Sequence, residues 1–465
     1  MSWDYDLVVI GSGPGGYVGA IRASQLGLKT CIVEKDKTGG VCLNMGCIPS
    51  KSLIHQAEIF RSAKGLERMG VSVDTSTLDY SKVQGESRKA ADTLSKGVQY
   101  LLKKNKIDLV EGEGVLTGEN EVTIKGGEQG EKKITGANIL IAVGSSPKTI
   151  PGFDYDGESI INSNDALLMT ELPESMIILG AGAIGCEFAH IMDSFGVNIT
   201  IVEMLDQILP NEDSEAASVL ARSFKKRKIK MHTSAKASNP RKEGEKVLLD
   251  VETKKGPQTL EADKLLVVVG RSPNTAGIGL EEMGITLEKG FVKVGDYYHT
   301  GVGSIYAVGD IISSPLLAHV ATKEAEIALE HMAGKGEEKR IDPASIPTGV
   351  YTEPEVAGFG LTEKQAEERG ITAESATFPY RGAGKSVAIE KSEGIVKITY
   401  DSGTNKIIGG RIVGAEATDL IHELLLAANA GLKTNDISRM IHAHPTLSEA
   451  VMEAARAAEG WVIHA

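Results

Sequence analysis

Residues 6–16 read Asp-Leu-Val-Val-Ile-Gly-Ser-Gly-Pro-Gly-Gly, an apolar strand that runs directly into a glycine-rich turn. A helical stretch follows, and then a second apolar strand that ends at Glu34. This order of strand, G-x-G-x-x-G turn, helix, strand and acidic residue is typical of a Rossmann-type dinucleotide site. Gly11 permits the tight turn, Gly13 lets the backbone approach a pyrophosphate, and Gly16 allows close packing of helix on strand. We therefore predict phosphates at the helix N-terminus and a ribose hydrogen-bonded to Glu34.

The same pattern occurs a second time at a constant offset of 169 residues, from Gly11 to Gly180 and from Glu34 to Glu203. Both second strands end in the tripeptide Ile-Val-Glu, so the repeat extends beyond the glycines. The repeated glycines of the second copy are Gly180, Gly182 and Gly185. Two copies predict two Rossmann-like units and two dinucleotides. Because a carboxylate hydrogen-bonds a ribose hydroxyl but repels a 2′-phosphate, Glu203 favours NAD over NADP.

Further patterns indicate where the chain leaves each unit. Residues 140–147 and 267–273 each read as a buried strand followed by a glycine turn. Residues 119–134 and 241–261 are charged and partly alternating, so we interpret both as solvent-facing hairpins. After residue 343 no dinucleotide fingerprint occurs, which favours a separate α+β domain.

The predicted fold class is α/β, with two Rossmann-like dinucleotide-binding domains and a C-terminal α+β interface domain. The predicted boundaries place the first domain at 1–147 and 275–343, the second at 148–274, and the interface domain at 344–465.

Two of the four cysteines, Cys42 and Cys47, lie within residues 39–51, Gly-Gly-Val-Cys-Leu-Asn-Met-Gly-Cys-Ile-Pro-Ser-Lys. On an ideal α-helix their Cα atoms would be roughly 8.6 Å apart, which exceeds the ~7 Å limit for a disulfide. A bridge therefore needs an irregular helix start, for which Gly46 supplies flexibility and Pro49 suits the first turn. The spacing favours redox work, although two unconnected small apolar side chains remain an alternative. A zinc site is not favoured, because no second pair of ligands accompanies the first, so we predict no metal.

Composition limits the possible functions. A chain of 465 residues with 41% hydrophobic and 24% charged residues has room for about three globular domains. A net charge of −13 disfavours binding to nucleic acid. No apolar run is long enough to span a membrane, and four cysteines do not make a secretory disulfide framework. With no signal-like segment before Asp6, we expect a cytoplasmic protein, or one in an organelle matrix after processing.

Two motifs outside the repeats carry candidate site residues. An apolar strand ends at Asp310, which by itself could be only a turn or cap residue. Residues 441–449 read Ile-His-Ala-His-Pro-Thr-Leu-Ser-Glu. Pro445 fits the first position of a helix, which predicts His444 at the helix start. Glu449 can fix the tautomer of the His444 ring and raise its basicity, although an exposed loop histidine remains the alternative.

Together these motifs resemble the two-cysteine flavoprotein disulfide reductases over essentially the whole length. The most specific elements are residues 39–51, 307–310 and 442–449. The resemblance implies that the first unit binds FAD and the second binds NAD. It also implies a redox disulfide between Cys42 and Cys47, with Cys42 as the interchange sulfur and Cys47 on the flavin side.

The resemblance assigns site residues by position. The catalytic set is Cys42, Cys47, His444 and Glu449. The FAD set is Gly11, Gly13, Gly16, Glu34, Lys51, Gly114, Val143, Gly144, Ser145, Asp310, Leu317, Ala318 and His319. The NAD set is Gly180, Gly182, Gly185, Glu187, Glu203 and Gly270. Within these sets Lys51 is expected near flavin N5 with Glu187 as its charge partner. Val143 stands where the family more often has threonine, which makes a hydroxyl contact to FAD doubtful.

The resemblance further implies a homodimer in which His444 and Glu449 serve the cysteines of the partner. The expected reaction is oxidation of dihydrolipoyl groups, with electrons passing through the dithiol and FAD to NAD⁺. The expected partners are lipoyl-bearing proteins of 2-oxo acid dehydrogenase or glycine cleavage complexes. One alternative is a glutathione-reductase-like enzyme, against which Glu203 argues. The other is a flavin-bearing structural subunit of a complex, against which the retention of the whole catalytic set argues.

Overall fold

The computed structural model describes residues 2–126 and 130–464. The helices are α1 (Pro14–Gln25), α2 (Gly40–Met45), α3 (Cys47–Gly65), α4 (Tyr80–Lys104), α5 (Ser163–Leu168), α6 (Ala183–Ser194), α7 (Ser214–Lys226), α8 (Ala318–Met332), α9 (Glu363–Glu368), α10 (Gly384–Ala388), α11 (Ala417–Asn429), α12 (Thr434–Ser438) and α13 (Glu449–Ala458). Short 3₁₀ turns lie at Leu66–Met69, Asp296–Tyr298, Gly309–Ile311, Pro343–Ser345 and Tyr380–Gly382.

The strands follow the same chain order. They are β1 (Tyr5–Ile10), β2 (Thr30–Glu34), β3 (Asp108–Glu111), β4 (Glu113–Gly118), β5 (Glu121–Lys125), β6 (Lys132–Ile141), β7 (Ser145–Pro147), β8 (Ile160–Ile161), β9 (Ser175–Leu179), β10 (Asn198–Val202), β11 (Lys230–His232), β12 (Lys236–Glu243), β13 (Lys246–Thr253), β14 (Gly256–Ala262), β15 (Lys264–Val267), β16 (Arg271–Pro273), β17 (Leu287–Glu288), β18 (Phe291–Val292), β19 (Ile305–Ala307), β20 (Thr348–Val350), β21 (Glu355–Gly360), β22 (Ala373–Pro379), β23 (Ile395–Asp401) and β24 (Ile407–Gly414).

The first sheet is organised around β1, which pairs in parallel with β2 on one side and β6 on the other. Its last four residues are buried, as expected for a strand of a parallel sheet covered on both faces. The chain returns much later as β19, which pairs in parallel with β6. The helix that follows, α8, then packs against α1, where Gly19 leaves room for Ala325. The first sheet is thus completed by a segment far away in sequence.

The second sheet has the strand order β11-β10-β9-β15-β8, and all of its pairings are parallel. An antiparallel sheet of β12, β13 and β14 lies beside it. Val247, Leu249 and Val251 on β13 are buried against the second unit. The prediction of a simple solvent-facing hairpin at 241–261 was therefore wrong, because alternate residues of β13 form one apolar face.

The other predicted hairpin, 119–134, is present as the antiparallel pair β5 and β6, with residues 127–129 outside the described part of the chain. Val122, Ile124 and Ile134 are buried in the first core, so this hairpin also is not wholly solvent-facing. Alternation of apolar with polar residues, rather than the overall charge of the segment, decided which side was covered.

The C-terminal sheet is antiparallel, in the order β20-β21-β24-β23-β22. Helix α11 packs on β21 and β24, while α13 packs on β22 and β23. Buried residues such as Phe378 and Leu424 form its core. The observed architecture is therefore the predicted one of two parallel α/β sheets and a C-terminal α+β region.

The three parts also share buried surface. One apolar cluster joins Leu53 on α3, Ile191 on α6 and Val413 on β24. The two segments predicted as crossings between units pair with each other, since β7 and β16 form an antiparallel ladder with Ser146 opposite Ser272. The numbered domain boundaries themselves stay a prediction.

Across residues 2–126 and 130–464, no helix combines the length and the apolar character needed to cross a membrane.

Candidate active site

The two glycine-rich turns have the same geometry. A Cβ atom on Gly16 would lie 1.9 Å from the carbonyl oxygen of Gly11, and one on Gly185 would lie 2.0 Å from that of Gly180. At both positions the helix therefore packs directly on the turn that precedes it. A Cβ on Gly182, by contrast, would meet no atom within 4 Å. The backbone at that position faces open space, into which a ligand can approach.

The two acidic residues at the ends of β2 and β10 repeat each other's hydrogen bonds. Glu34 accepts from the Ser12 N–H at 2.8 Å and from the Asp36 N–H at 2.8 Å. At the same offset of 169 residues, Glu203 accepts from the N–H of Ala181 at 2.7 Å and from that of Leu205 at 2.8 Å. Each carboxylate is thus fixed by its own glycine-rich turn. A carboxylate oxygen has two lone pairs, so each group can still accept from a ribose.

A cavity of about 290 Å³ opens beside the first turn. Its wall contains Cys42 and Cys47 together with seven residues of the predicted FAD set. These are Gly13, Lys51, Gly144, Ser145, Asp310, Leu317 and Ala318. Glu187, which was predicted with the NAD set, lines the same cavity. The fold therefore brings together predicted residues from five separate stretches of the chain.

Four further predicted residues, Gly114, Val143, His319 and Gly270, are not on the wall of this cavity. Gly114 is on β4, where a Cβ would meet the Ile10 side chain at 2.9 Å. The carbonyl of Val143 accepts from the side-chain amide of Asn274 at 2.9 Å. His319 is turned away, because its Nε2 is bonded to the Pro347 carbonyl at 2.8 Å. Gly270, just before β16, has φ +119°.

The cysteine pair lies at a break between two helices. Cys42 is on α2, Cys47 is the first residue of α3, and Gly46 between them adopts φ −155° and ψ −115°. The prediction of an irregular helix start is confirmed, and Pro49 lies in the first turn of α3. Both cysteines are free thiols whose side chains are hydrogen-bonded to each other.

The two thiols differ in acidity. The hydrogen bond between them lowers the pKa of Cys47, and the positive charge of Lys51 acts in the same direction. The same hydrogen bond raises the pKa of Cys42, and burial raises it further. Cys42 therefore acts as the donor and Cys47 as the thiolate of the reduced pair. Only the thiolate is reactive, so the two sulfurs of the reduced pair differ in reactivity.

Lys51 forms the expected ion pair with Glu187. Its Nζ lies 3.0 Å and 2.9 Å from the two carboxylate oxygens. The Glu187 side chain is 7% exposed and that of Lys51 is 33% exposed, so the acid is buried and the lysine is partly exposed. Removing one member of such a pair leaves an uncompensated buried charge, which is strongly destabilising.

Sequence reasoning missed Arg271, which joins the cavity wall from β16. Its Nε donates to Ser145 Oγ at 2.7 Å, and its Nη2 donates to the Ser145 carbonyl at 2.6 Å. The Ser145 hydroxyl in turn donates to Asp310. Arg271 directly follows Gly270 in one of the two crossing segments, and that position was the available signal.

Sequence reasoning also missed Glu324 on α8, which is 1% exposed. Its carboxyl accepts from the N–H of Gly309 at 2.7 Å and so supports the turn that carries Asp310. Burial raises the pKa of Glu324 to about 7. The available signal was its place on the apolar face of the helix, between Val320 and Ala328.

The predicted contact between His444 and Glu449 is present. His444 Nδ1 lies 3.0 Å from Glu449 Oε1, and the Thr446 N–H donates to Glu449 Oε2 at 2.9 Å. Burial opposes ionisation of Glu449, but the bonds from Thr446 and His444 outweigh it and lower the pKa. The prediction that His444 starts a helix was wrong. The segment before α13 is held as a loop, because Thr446 bonds Glu449 and the Ala443 carbonyl, and the helix begins only at Glu449.

One chain does not bring this pair to the cysteines. Neither His444 nor Glu449 is among the described residues that line the cavity. The side chain of His444 is 75% exposed, and Ile441 beside it is 95% exposed. Within one chain, His444 and Glu449 therefore lie outside the cavity wall that contains the two cysteines.

The residues present fit two dinucleotides. Helices α1 and α6 begin after Gly13 and Gly182, without a side-chain cap and without an acidic residue in the first turn. Helix α8 begins in the same way at the cavity wall, after Leu317. Uncapped N–H groups and the positive end of the helix dipole favour phosphate and other anionic groups. FAD fits the first unit and NAD the second.

Comparison with known proteins identifies relatives of the whole chain. Residues 5–325 match the pyridine nucleotide-disulphide oxidoreductase family, and residues 346–455 match the dimerisation domain of that family. The chain is 41% identical to a dihydrolipoyl dehydrogenase of Bacillus subtilis over 100% of both sequences. It is 44% identical to that of Chlorobaculum tepidum, over 97% of this chain and 96% of the relative.

Solved structures also match nearly the whole chain. LpdA from Mycobacterium tuberculosis superposes with a TM-score of 0.89 and 28% identity, over 97% of this chain and 99% of the other. The HOCl-induced flavoprotein disulfide reductase of Escherichia coli superposes with a TM-score of 0.86 and 25% identity, over 98% and 99% of the two chains.

Proposed function

Because the chain belongs to the pyridine nucleotide-disulphide oxidoreductases, we propose that it oxidises dihydrolipoyl groups carried on other proteins and reduces NAD⁺. The activity is that of a dihydrolipoyl dehydrogenase, and the cofactors are FAD and NAD. The observation that carries the proposal is the hydrogen-bonded pair of Cys42 and Cys47 on the wall of a cavity that begins at a dinucleotide-binding turn. The relatives support it with identities above 40% over nearly their full length.

The lipoyl half-reaction uses the cysteines and the base. His444 accepts a proton from one substrate thiol, because the thiolate is the nucleophile in disulfide exchange. That thiolate attacks Cys42 in the oxidised pair and displaces Cys47 as a thiolate. The second substrate thiol then attacks the substrate sulfur bonded to Cys42. The bond to Cys42 breaks, the proton of the second thiol passes to the Cys42 sulfur, and the oxidised lipoyl group is released. The pair has gained two electrons, and the substrate has lost two electrons and two protons.

The surroundings of Cys47 suit its role as the thiolate. Cys42 donates a hydrogen bond to it, and Lys51 supplies a positive charge from the next turn of α3. Glu449 keeps His444 oriented through the 3.0 Å contact and supports the imidazolium that forms. These residues complete proton transfer and disulfide exchange without further groups.

The cofactors are held by residues of the two units. The first glycine turn, Glu34, Asp310 with Ser145, and the start of α8 would hold FAD. The second turn and Glu203 would hold NAD, and the Glu203 carboxylate would disfavour NADP. When bound, FAD supplies the acceptor that links the two-electron dithiol to hydride transfer with NAD⁺.

The active site is shared between two subunits in this proposal. The dimerisation-domain match supports a homodimer. Ile441, 95% exposed, and Leu426, 70% exposed, offer apolar surface beside the base for a partner to cover. We place His444 and Glu449 opposite the cysteines of the partner. The lipoyl groups would come from proteins of 2-oxo acid dehydrogenase or glycine cleavage complexes.

The test is a comparison of substrates and cysteine variants in the purified enzyme. We expect turnover of dihydrolipoamide with NAD⁺ and none of glutathione disulfide with NADPH. Two-electron reduction of the wild type should give a long-wavelength absorption band from a thiolate next to oxidised flavin. Cys42→Ser should show this band without reduction, and Cys47→Ser should lack it. The reverse pattern in the two variants would contradict the roles given to the sulfurs, and absence of dihydrolipoamide oxidation would contradict the function.

A further inference from the structure

The ammonium group of Lys51 lies where the three parts of the chain meet. Lys51 comes from α3 in the first unit, and Glu187, to which it is bonded at 2.9 Å, comes from α6 in the second. On its other side the ammonium group is 4.4 Å from the centre of the Tyr351 ring. Tyr351 directly follows β20, within the segment that matches the dimerisation domain.

Tyr351 makes two separate contacts with this ion pair. Its backbone N–H donates to Glu187 Oε1 at 3.1 Å, so it also fixes the acid that holds Lys51. Its ring contacts the cation. A cation over an aromatic face is attracted by the ring quadrupole, and the attraction is stronger where water is excluded. Tyr351 is half-buried, and burial raises the pKa of its phenol, so the ring is neutral in the physiological range.

Lys51 in turn faces the redox thiol. It lies four residues after Cys47 on α3, so the two side chains share one helix face, and both line the cavity. The charged or titratable groups that face Cys47 are Cys42 from α2, Lys51 from its own helix, Glu187 from α6 and Arg271 from β16. Lys51 stabilises the thiolate and Glu187 opposes it. The position of the Lys51 ammonium group relative to Cys47 therefore affects the pKa of the thiol.

We propose that Tyr351 is a positioning residue whose aromatic face holds the Lys51 ammonium beside Cys47 and so stabilises the reduced dithiol. The C-terminal region thereby acts on the redox pair of its own chain, in addition to supplying the base for the partner. This inference rests on the role that the proposed function gives to Cys47.

The test measures the acidity of Cys47 directly. In holoenzyme that carries Cys42→Ser, Cys47 is the remaining cavity thiol, because Cys31 and Cys186 are buried. The rate of Cys47 alkylation by iodoacetamide, followed by peptide mass spectrometry across pH, gives its pKa from the midpoint. Tyr351→Leu removes the aromatic face and should raise the midpoint by about half a pH unit or more. Tyr351→Phe keeps the face and is the matched control, with an unchanged midpoint.

Two results would overturn the inference. One is an unchanged midpoint in Tyr351→Leu, including the case in which only the thermal unfolding temperature falls, since that pattern indicates a structural role. The other is an equal rise in Tyr351→Phe, which would assign the effect to the hydroxyl. If Tyr351→Leu does not fold, Tyr351→Met fills the space without an aromatic face and takes its place. Failure of the proposed function is distinguishable, because it appears in enzyme that retains Tyr351: absent dihydrolipoamide oxidation in the wild type would contradict the function, and a missing long-wavelength band in Cys42→Ser would contradict the role given to Cys47.

Discussion

Glu324 shows how a single buried carboxyl can make the stability of the protein depend on pH. Its pKa is raised by burial from 4.5 to about 7. The folded state therefore binds a proton more tightly than the unfolded chain does. The resulting stabilisation is complete below about pH 4.5 and is lost as pH rises through about 7.

We predict that Glu324→Gln removes this part of the pH dependence. The amide is neutral at all pH values and can still accept from the Gly309 N–H. A shift of this size corresponds to at most about 3 kcal/mol. Thermal unfolding of the two proteins, compared on both sides of pH 7, measures it. Glu326→Gln, on the more exposed side of the same helix, is the control and should follow the wild type. A parallel pH dependence for Glu324→Gln and wild type would contradict the assignment.

The sequence could predict those site residues that belong to a short, local sequence pattern. Glu34 and Glu203 were predictable because each lies at a fixed distance from a glycine-rich turn. Cys42 and Cys47 were predictable from their spacing. Arg271 had only its position after Gly270 as a signal, and Tyr351 had none, because each reaches the cavity or the ion pair through tertiary packing.

At the scale of elements, the glycine-rich turn of the second unit separates folding from binding. Gly185 packs on its own turn, whereas Gly182 faces open space. We predict that Gly185→Ala destabilises the second unit by about 1–3 kcal/mol or more, because the added methyl has nowhere to go. Gly182→Ala should fold normally but raise the KM for NAD⁺, since its methyl occupies the approach of the pyrophosphate.

Thermal unfolding and NAD⁺ kinetics on both variants measure the two effects. The FAD content of Gly182→Ala should equal that of the wild type, because the first turn is untouched. A stable Gly185→Ala enzyme, or a Gly182→Ala enzyme with unaltered KM for NAD⁺, would contradict this division of roles.

The errors in the elements have local physical causes. Residues 241–261 are rich in charge, yet alternate side chains of β13 are apolar and are buried by the sheet beside them. Pro445 suggested a helix start, but the side chain of Thr446 and the carboxylate of Glu449 bond the loop instead. In both cases a tertiary or side-chain contact outweighed the average character of the segment.

At the scale of the whole molecule, the order of the parts was predictable and their contacts were not. The repeated fingerprint, together with the crossings, predicted two parallel sheets and a later domain. The shared cluster of Leu53, Ile191 and Val413 required the folded chain. The folded chain was also needed to show that His444 is not on the cavity wall that contains the two cysteines.

In the proposed dimer, His444 serves the cysteines of the partner subunit. Cys42→Ser and His444→Gln homodimers should each be nearly inactive, since general-base catalysis typically contributes about 10²–10⁴-fold. Hydride exchange between NADH and the flavin should survive in His444→Gln, which serves as the control for intact cofactor sites.

The decisive measurement is the activity of the heterodimer that combines one Cys42→Ser chain with one His444→Gln chain. Such a dimer has one intact site and one doubly damaged site. It should recover up to about half of the wild-type rate of dihydrolipoamide oxidation. Verified heterodimers that show no recovered activity would place the base and the cysteines on the same chain and contradict the shared active site.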